Sequence, residues 1–292
     1  MDARFRKGLI YGVLSYSIWG LFPLYWRLLR HVDSVEILAH RMFWSMVVMC
    51  LFCSWRRIRL ADHVKGLGQW LLLLVAAMLN TFNWGLYIWA VNHDMLLQSS
   101  LGYYINPLIN VLFGCLFLGE RLNGRQTLAL VLAFAGVAWF TVSHGQLPVV
   151  SLALAVSFAL YGLIKKKMQL NATPALTVET LWMAPAAAIY IGLLASHGQS
   201  ALCTMHVPTM LLLAGAGVVT AVPLLLFGKA AERIPLSTLG FLQYISPTGQ
   251  FLIGVFLFRE AFTTAHLVCF ALIWAGLIVY TFDLIRPKTV SQ

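Results

Sequence analysis

Ten mostly apolar stretches alternate with short polar segments along the chain, at residues 8–29, 35–55, 69–91, 97–118, 124–142, 148–164, 174–196, 208–229, 236–257 and 264–284. A helix needs roughly 20 apolar residues to cross a bilayer. The pattern therefore predicts an all-α, polytopic membrane protein of ten transmembrane helices. The first stretch follows a basic start, Met1 to Lys7, as the core of a signal peptide would. It nevertheless holds Trp19, Pro23 and Tyr25 and lacks a small-residue cleavage pattern, so it reads as a retained span.

Composition supports this reading. Of 292 residues, 60% are hydrophobic and only 10% charged, against about a quarter charged in a soluble domain. Ten spans leave only short loops and no room for a separate soluble domain. The five cysteines are scattered, and Cys50 and Cys53 form a CxxC inside an apolar stretch. With no electropositive neighbour to favour a thiolate, that pair reads as packing. The sequence has no HExxH, no His/Cys cluster and no phosphate-binding loop, so it implies no metal or other cofactor and argues against an intramembrane enzyme.

The net charge of +10 does not imply nucleic acid, because the basic residues follow the spans. With the N-terminus in the cytoplasm, the inner segments hold Arg4, Arg6, Lys7, Arg56, Arg57, Arg59, Lys65, Arg121, Arg125, Lys165, Lys166, Lys167, Lys229, Arg233, Arg286 and Lys288. The outer segments hold only Arg27, Arg30 and Arg259. This asymmetry places both termini and the Lys165–Lys167 segment inside, and the loop with His197 and Cys203 outside.

The chain also compares well with itself. TLGFLQYISP, Thr238 to Pro247, echoes SLGYYINP, Ser100 to Pro107, with two extra residues in the second copy. Beyond the prolines, an offset of 140 places Pro107, Leu112, Gly114, Glu120, Leu132, Ala135, Gly136 and Thr141 on Pro247, Leu252, Gly254, Glu260, Leu272, Ala275, Gly276 and Thr281. Five spans per copy is an odd number, so the second copy enters the membrane upside down. Inverted repeats recur in secondary transporters, with the substrate site near the midplane where the repeats meet.

The runs EILAHR (Glu36 to Arg41), NWGLYIWAVN (Asn83 to Asn92), SLGYYINPLIN and LSTLGFLQYISPT resemble the RarD subfamily of the EamA family, within the drug/metabolite transporter superfamily. The resemblance covers essentially the whole chain and departs from the pattern at Arg259, where a Gly before the Glu is usual. It implies two five-helix EamA repeats, residues 1–145 and 146–292, in a permease of the bacterial cytoplasmic (inner) membrane. It also implies an association with chloramphenicol phenotypes and with movement of amino acids or other metabolites.

Within this frame, a few polar residues are candidates for a substrate site. Pro107 and Pro247 deprive the carbonyls of Tyr103 and Gln243 of a helical donor, and in hydrocarbon such groups need protein or cavity water. Around these expected helix breaks stand Tyr103, Tyr104 and Asn106 in one copy and Gln243, Tyr244 and Ser246 in the other. A plain kink relieved by packing is the alternative. Asn80, Asn83, Trp84 and Tyr87 recur at helical spacing, either as interhelical glue or as cavity lining. Trp19, with Tyr161 as its mate in the second copy, lies deep for an interfacial belt residue.

Arg41 and Arg56 enclose only 14 residues, about 21 Å of helix, which is short of the roughly 30 Å core. The second span therefore draws Arg41, with Glu36 and His40, below the outer interface. Intramembrane charges are functional candidates by default, here for gating or proton coupling. The alternative is an Arg41 that snorkels outward while pairing with Glu36. Glu179 is the approximate mate of Glu36 on the opposite side. Glu120 and Glu260, with Asn123 and Thr263 beside them, read as structural groups at helix starts. The aromatic and amide candidates favour a neutral or zwitterionic, partly aromatic small-molecule substrate. A receptor or channel is the competing class.

Overall fold

The computed structural model describes residues 2–29, 31–92, 96–144, 149–201, 207–257 and 264–285. Among these, the regular structure is entirely helical. Helices α1 (Ala3–Leu28), α2 (Ser34–Trp55), α3 (Leu60–His63), α4 (Gly66–Asn92), α5 (Leu96–Leu118) and α6 (Gly124–His144) make the first half. The second half comprises α7 (Val149–Met168), α8 (Ala172–Ser196), α9 (Val207–Ala231), α10 (Leu236–Gln243), α11 (Ile245–Leu252), a π-helical turn (Ile253–Leu257) and α12 (Thr264–Ile285). Apart from turns at Leu29 and Tyr244, each apolar stretch in the sequence is helical where it is described, and the short α3 is an addition the apolar pattern does not signal. Among the described residues, seven helices are long and apolar enough to cross a membrane. Large apolar side chains such as Leu21, Trp55, Val142 and Phe256 point outward, as suits a surface facing lipid acyl chains rather than water.

Helix starts follow ordinary capping chemistry. Asp33 Oδ1 accepts from the backbone N–H groups of Val35 (2.9 Å) and Glu36 (3.3 Å) to start α2. Asn123 Oδ1 accepts from Arg125 and Gln126 to start α6, as expected of an N-cap. Glu120 differs from its expected role at the start of its own next helix. Its carboxylate instead accepts from the N–H groups of Leu236 (2.6 Å) and Ser237 (2.8 Å) at the start of α10. The charge still meets a helix N-terminus, but one far along the chain. Glu260, Thr263, Arg259 and Cys203 lie outside the described residues.

The two proline positions behave differently. α5 runs as continuous helix through Pro107, contrary to the expected break. The second copy is interrupted at Tyr244, whose N–H reaches back to Phe241 O at 3.3 Å before α11 carries Pro247 onward. Two extra residues advance a helix by about 200°, so the longer copy must shed that phase in an irregular turn. The shorter copy has no such surplus and absorbs its proline within the helix.

The bundle packs through helix pairs α6/α12, α5/α7, α2/α8, α2/α9, α1/α9, α5/α10, α4/α7, α1/α11 and α4/α8. One buried cluster centres on Tyr16, Trp19, Tyr161 and Phe227, and another on Tyr104, Phe241, Phe270 and Tyr280. Where α6 crosses α12, a Cβ on Gly136 would stand 2.9 Å from Cys269 O, and one on Gly276 would stand 2.8 Å from Ala129 O. Only glycine permits backbones to approach this closely. Cys53 Sγ lies 3.2 Å from Thr177 Oγ1, so that cysteine sits in an α2/α8 packing contact.

Candidate functional site

The helices enclose a cavity of about 320 Å³, within the range of small-molecule sites. α1, α2, α4 and α5 supply one part of its wall, and α7, α10 and α11 another. It extends to Val32 of the α1–α2 connection and Ser34 at the start of α2. Trp19, Asn83, Trp84, Tyr87, Tyr103, Gln243, Ser246 and Pro247, all singled out in the sequence, line it. Arg41 joins them. The sequence pattern did not single out Tyr16, Phe22, Phe158 or Gln250 as lining residues, although Gln250 follows Ser246 at one helical turn on the same face.

Other candidates lie behind the wall. Tyr104 is buried against Phe270, with ring centroids 4.9 Å apart, and its hydroxyl faces Pro247 O at 3.5 Å. Tyr244 is fully buried in the same cluster. Asn106 Nδ2 donates to Ala155 O at 2.6 Å, tying α5 to α7. Asn110, which the motif comparison passed over, donates both to Asn106 Oδ1 (3.1 Å) and to Gln243 Oε1 (2.8 Å). A buried amide chain thus holds the cavity-lining Gln243 in place. Asn83 serves as both glue and lining. Its Nδ2 donates to Leu154 O (2.7 Å) and Ser157 Oγ (2.9 Å), while its buried Oδ1 has no hydrogen-bond partner among the described residues.

The charged group of α2 divides between two faces. Residues 36 and 40 are a turn apart, and His40 Nε2 lies 3.8 Å from Glu36 Oε1. Arg41 is five positions from Glu36, about 140° around the helix, and does not pair with it. Glu36 Oε1 accepts from Ser200 Oγ (2.8 Å) and Ala201 N (2.7 Å), anchoring α2 to the segment after α8. Arg41 turns into the cavity instead. Its Nε donates to Thr220 Oγ1 at 3.1 Å, and its guanidinium carbon lies 3.8 Å from the centroid of Trp84 and 4.4 Å from that of Trp26. Ser45 Oγ, bonded to Arg41 O and Gly217 O, braces the helix there.

At the end of the cavity away from the α1–α2 connection, aromatic rings close together. Trp19 meets Phe158 at 5.7 Å and Phe227 at 5.8 Å, and Tyr161 stacks on Phe227 at 5.8 Å. Beneath them Lys165 Nζ lies 2.6 Å from Glu179 Oε1, and the Tyr161 hydroxyl donates to Glu179 Oε2 at 3.1 Å. Both charged side chains are buried. The lysine segment is therefore not simply a solvated loop. It forms the last turn of α7, where Lys166 Nζ also donates to Ala231 O and Ile234 O.

The family model of the EamA-like transporter family matches residues 6–142. An uncharacterized transporter, YojE, of Bacillus subtilis is 45% identical over 298 residues, covering 99% of this chain and 98% of its own. Protein RarD of Escherichia coli is 42% identical, covering 99% of this chain and 98% of its own. A Pseudomonas aeruginosa protein named chloramphenicol-sensitive protein RarD is 30% identical, covering 96% and 95%. One crystal structure superimposes with a TM-score of 0.74 over 97% of this chain and 99% of that chain at 17% identity, a likeness of fold alone. Identity at this level, sustained along the full length of transporter-named relatives, means that the chain belongs to the EamA-like transporter family and, within it, to the group of proteins named RarD.

Proposed function

We propose that the chain is a secondary transporter that carries a small organic molecule through its central cavity by alternating access. The observation that carries this reading is the central cavity, walled by both halves. It reaches the α1–α2 connection at one end and meets stacked aromatic rings and the Lys165–Glu179 pair at the other. A cavity that extends toward one end of the bundle and is capped by packed rings and a buried ion pair at the other supports the reading as one state of an alternating-access cycle.

Ten spans arranged as two inverted five-helix repeats, 1–145 and 146–292, underlie the mechanism. Pairing α1, α2, α4, α5 and α6 with α7, α8, α9, α10–α11 and α12 exchanges the main packing contacts among themselves. α5/α7 becomes α11/α1, α4/α7 becomes α9/α1, and α4/α8 becomes α9/α2, while α2/α8, α5/α10 and α6/α12 map onto themselves. The Gly136–Cys269 and Gly276–Ala129 approaches obey the same offset of 140. With both termini cytoplasmic, as the basic residues favour, the α1–α2 connection faces outward and Lys165–Glu179 closes the inner end.

The sequence carries no nucleotide-binding loop, so this chain supplies no ATP-driven step itself. The proposed energy source is a gradient, with protons as the candidate coupling ion through Glu36 and His40. Chloramphenicol-like compounds and amino acids are the first probes, given the relatives' names and the family resemblance. Purified protein in liposomes should mediate flux of its substrate that saturates with concentration and responds to an imposed pH gradient. Flux linear with concentration to the solubility limit would favour a channel instead.

A further inference from the structure

Arg41 is the one charged side chain among the described residues that line the cavity. Its surroundings are built to hold a cation without neutralising it. Thr220 fixes the Nε edge, and the faces of Trp26 and Trp84 hold the guanidinium plane. A ring face attracts a cation but accepts no hydrogen bond in the guanidinium plane. Among the described residues the guanidinium's hydrogen bond is the one from Nε to Thr220, and its other neighbours in the wall, Tyr87 and Tyr103, carry no charge to oppose it. No carboxylate among the described residues stands within ion-pair distance, and Glu36 is committed to Ser200 and Ala201 on another face. A buried charge left in this state is unfavourable unless something completes it.

We propose that the ligand completes it, and that the cavity takes a small organic carboxylate as a monoanion with Arg41 as its counter-ion. This rests on the cavity being the transport site. A planar carboxylate matches the guanidinium fork with two parallel hydrogen bonds, which a neutral amide or alcohol cannot supply. The rest of the wall selects the body of the molecule. Trp19, Phe22 and Phe158 offer apolar ring faces, and Tyr87, Tyr103 and Gln250 offer uncharged polar groups. No lining carboxylate awaits an ammonium group, so an α-amino acid would bring a second positive charge beside Arg41 with nothing to oppose it. The ligand class is therefore a flat, aromatic or apolar acid with a single negative charge, small enough for about 320 Å³.

The test uses the full chain in lipid nanodiscs. Binding is read from the intrinsic fluorescence of the tryptophans, since Trp19, Trp26 and Trp84 line the cavity. The probes are 3-phenylpropionate, its neutral isostere 3-phenylpropionamide, and the zwitterion L-phenylalanine. The expected result is that the acid binds at least about tenfold more tightly than the amide, the difference one charge-assisted bidentate pair provides, and more tightly than the amino acid. Arg41→Gln should abolish that preference, and Arg41→Lys should retain part of it. Equal binding of acid and amide to the native protein, no binding of the acid, or a preference that survives Arg41→Gln would overturn the proposal. The acid–amide comparison needs no variant, so a misfolded Arg41→Gln protein does not weaken the test. Flux in liposomes separates the two readings. An acid that binds through Arg41 but is never transported leaves the carboxylate site standing and rejects the carrier, whereas saturable flux of neutral compounds with no preference for the acid rejects the site alone.

Discussion

Gly136 and Gly276 do the same work at the two ends of one helix crossing. Each brings its backbone against the carbonyl of the partner helix, at Cys269 and Ala129, where an added Cβ would stand 2.9 and 2.8 Å from that oxygen. The four residues fall into two pairs separated by the same 140 positions. That reciprocity is what an internal repeat, folded as a repeat, would produce.

The first prediction follows from it. Gly136→Val and Gly276→Val should each force α6 and α12 apart and destabilise the protein by about 1–3 kcal/mol, the usual penalty of overpacking. If the two sites are equivalent, as the matching contacts suggest, the two losses should be similar in size. Thermal unfolding of the purified variants beside the native protein measures this, and a large loss at one site with none at the other would contradict the equivalence.

A second prediction concerns Glu120, which accepts from the N–H groups of Leu236 and Ser237 across more than a hundred residues of chain. Glu120→Ala should remove both acceptors from the start of α10 and cost about 0.5–2 kcal/mol, as loss of a helix cap does. Glu120→Gln should recover part of the loss, because one amide oxygen remains. Melting temperatures of the two variants decide the matter, and equal stability of both with the native protein would show the cap to be idle.

The proposed topology gives a third. Read by the positive-inside rule, the basic residues favour the segment with Cys203 outside and Lys165 inside. Cys203 should therefore react with an impermeant maleimide added to intact cells, in a variant with the other four cysteines replaced by serine. Labelling only after the membrane is opened would reverse the orientation.

Asn110 carries the fourth prediction. Asn110→Leu leaves Gln243 Oε1 and Asn106 Oδ1 without their donor, a loss of about 1–3 kcal/mol for buried polar atoms. Gln243 faces the cavity, so its freed side chain should raise the substrate concentration for half-maximal flux more than it lowers the amount of protein in the membrane. Flux normalised to membrane protein tests this, and a fall explained wholly by abundance would limit Asn110 to packing.

The helical stretches were legible in the sequence because membrane spans announce themselves residue by residue through a continuous apolar run. The deep position of Arg41 was legible too, from the short distance to Arg56. Its direction was not. That depends on the 140° between positions 36 and 41 and on Thr220, Trp26 and Trp84 arriving from other helices, and it is the ground on which an anionic substrate is proposed in place of a neutral or zwitterionic one. Tyr104, Asn106, Tyr161 and Tyr244 look like lining residues by type, yet they face neighbouring helices, because which face of a membrane helix meets the cavity is set by the packing of distant segments. The helix break was half legible. Proline predicted a break in each copy, but α5 runs through Pro107, and only the second copy, whose two-residue surplus is visible in the alignment of the repeats, is interrupted, at Tyr244.

The last prediction concerns the closed end. Lys165 and Glu179 form a buried ion pair 2.6 Å apart beneath Tyr161, and removing one partner strands the other charge away from water. Lys165→Met and Glu179→Gln alone should each destabilise the protein by about 3–5 kcal/mol, while the double variant, which buries no net charge, should recover most of that loss. Stability alone does not separate a gate from a brace, but the double variant does. If the pair holds the inner end shut, the folded double variant should open inward more readily, so a cysteine placed at Phe158 should gain reactivity toward a reagent supplied from the cytoplasmic side, with an altered rate of flux. If the pair only braces α7 against α8, the folded double variant should show native accessibility at position 158 and native flux. Accessibility measured in inside-out vesicles, on single and double variants matched for abundance, distinguishes the two.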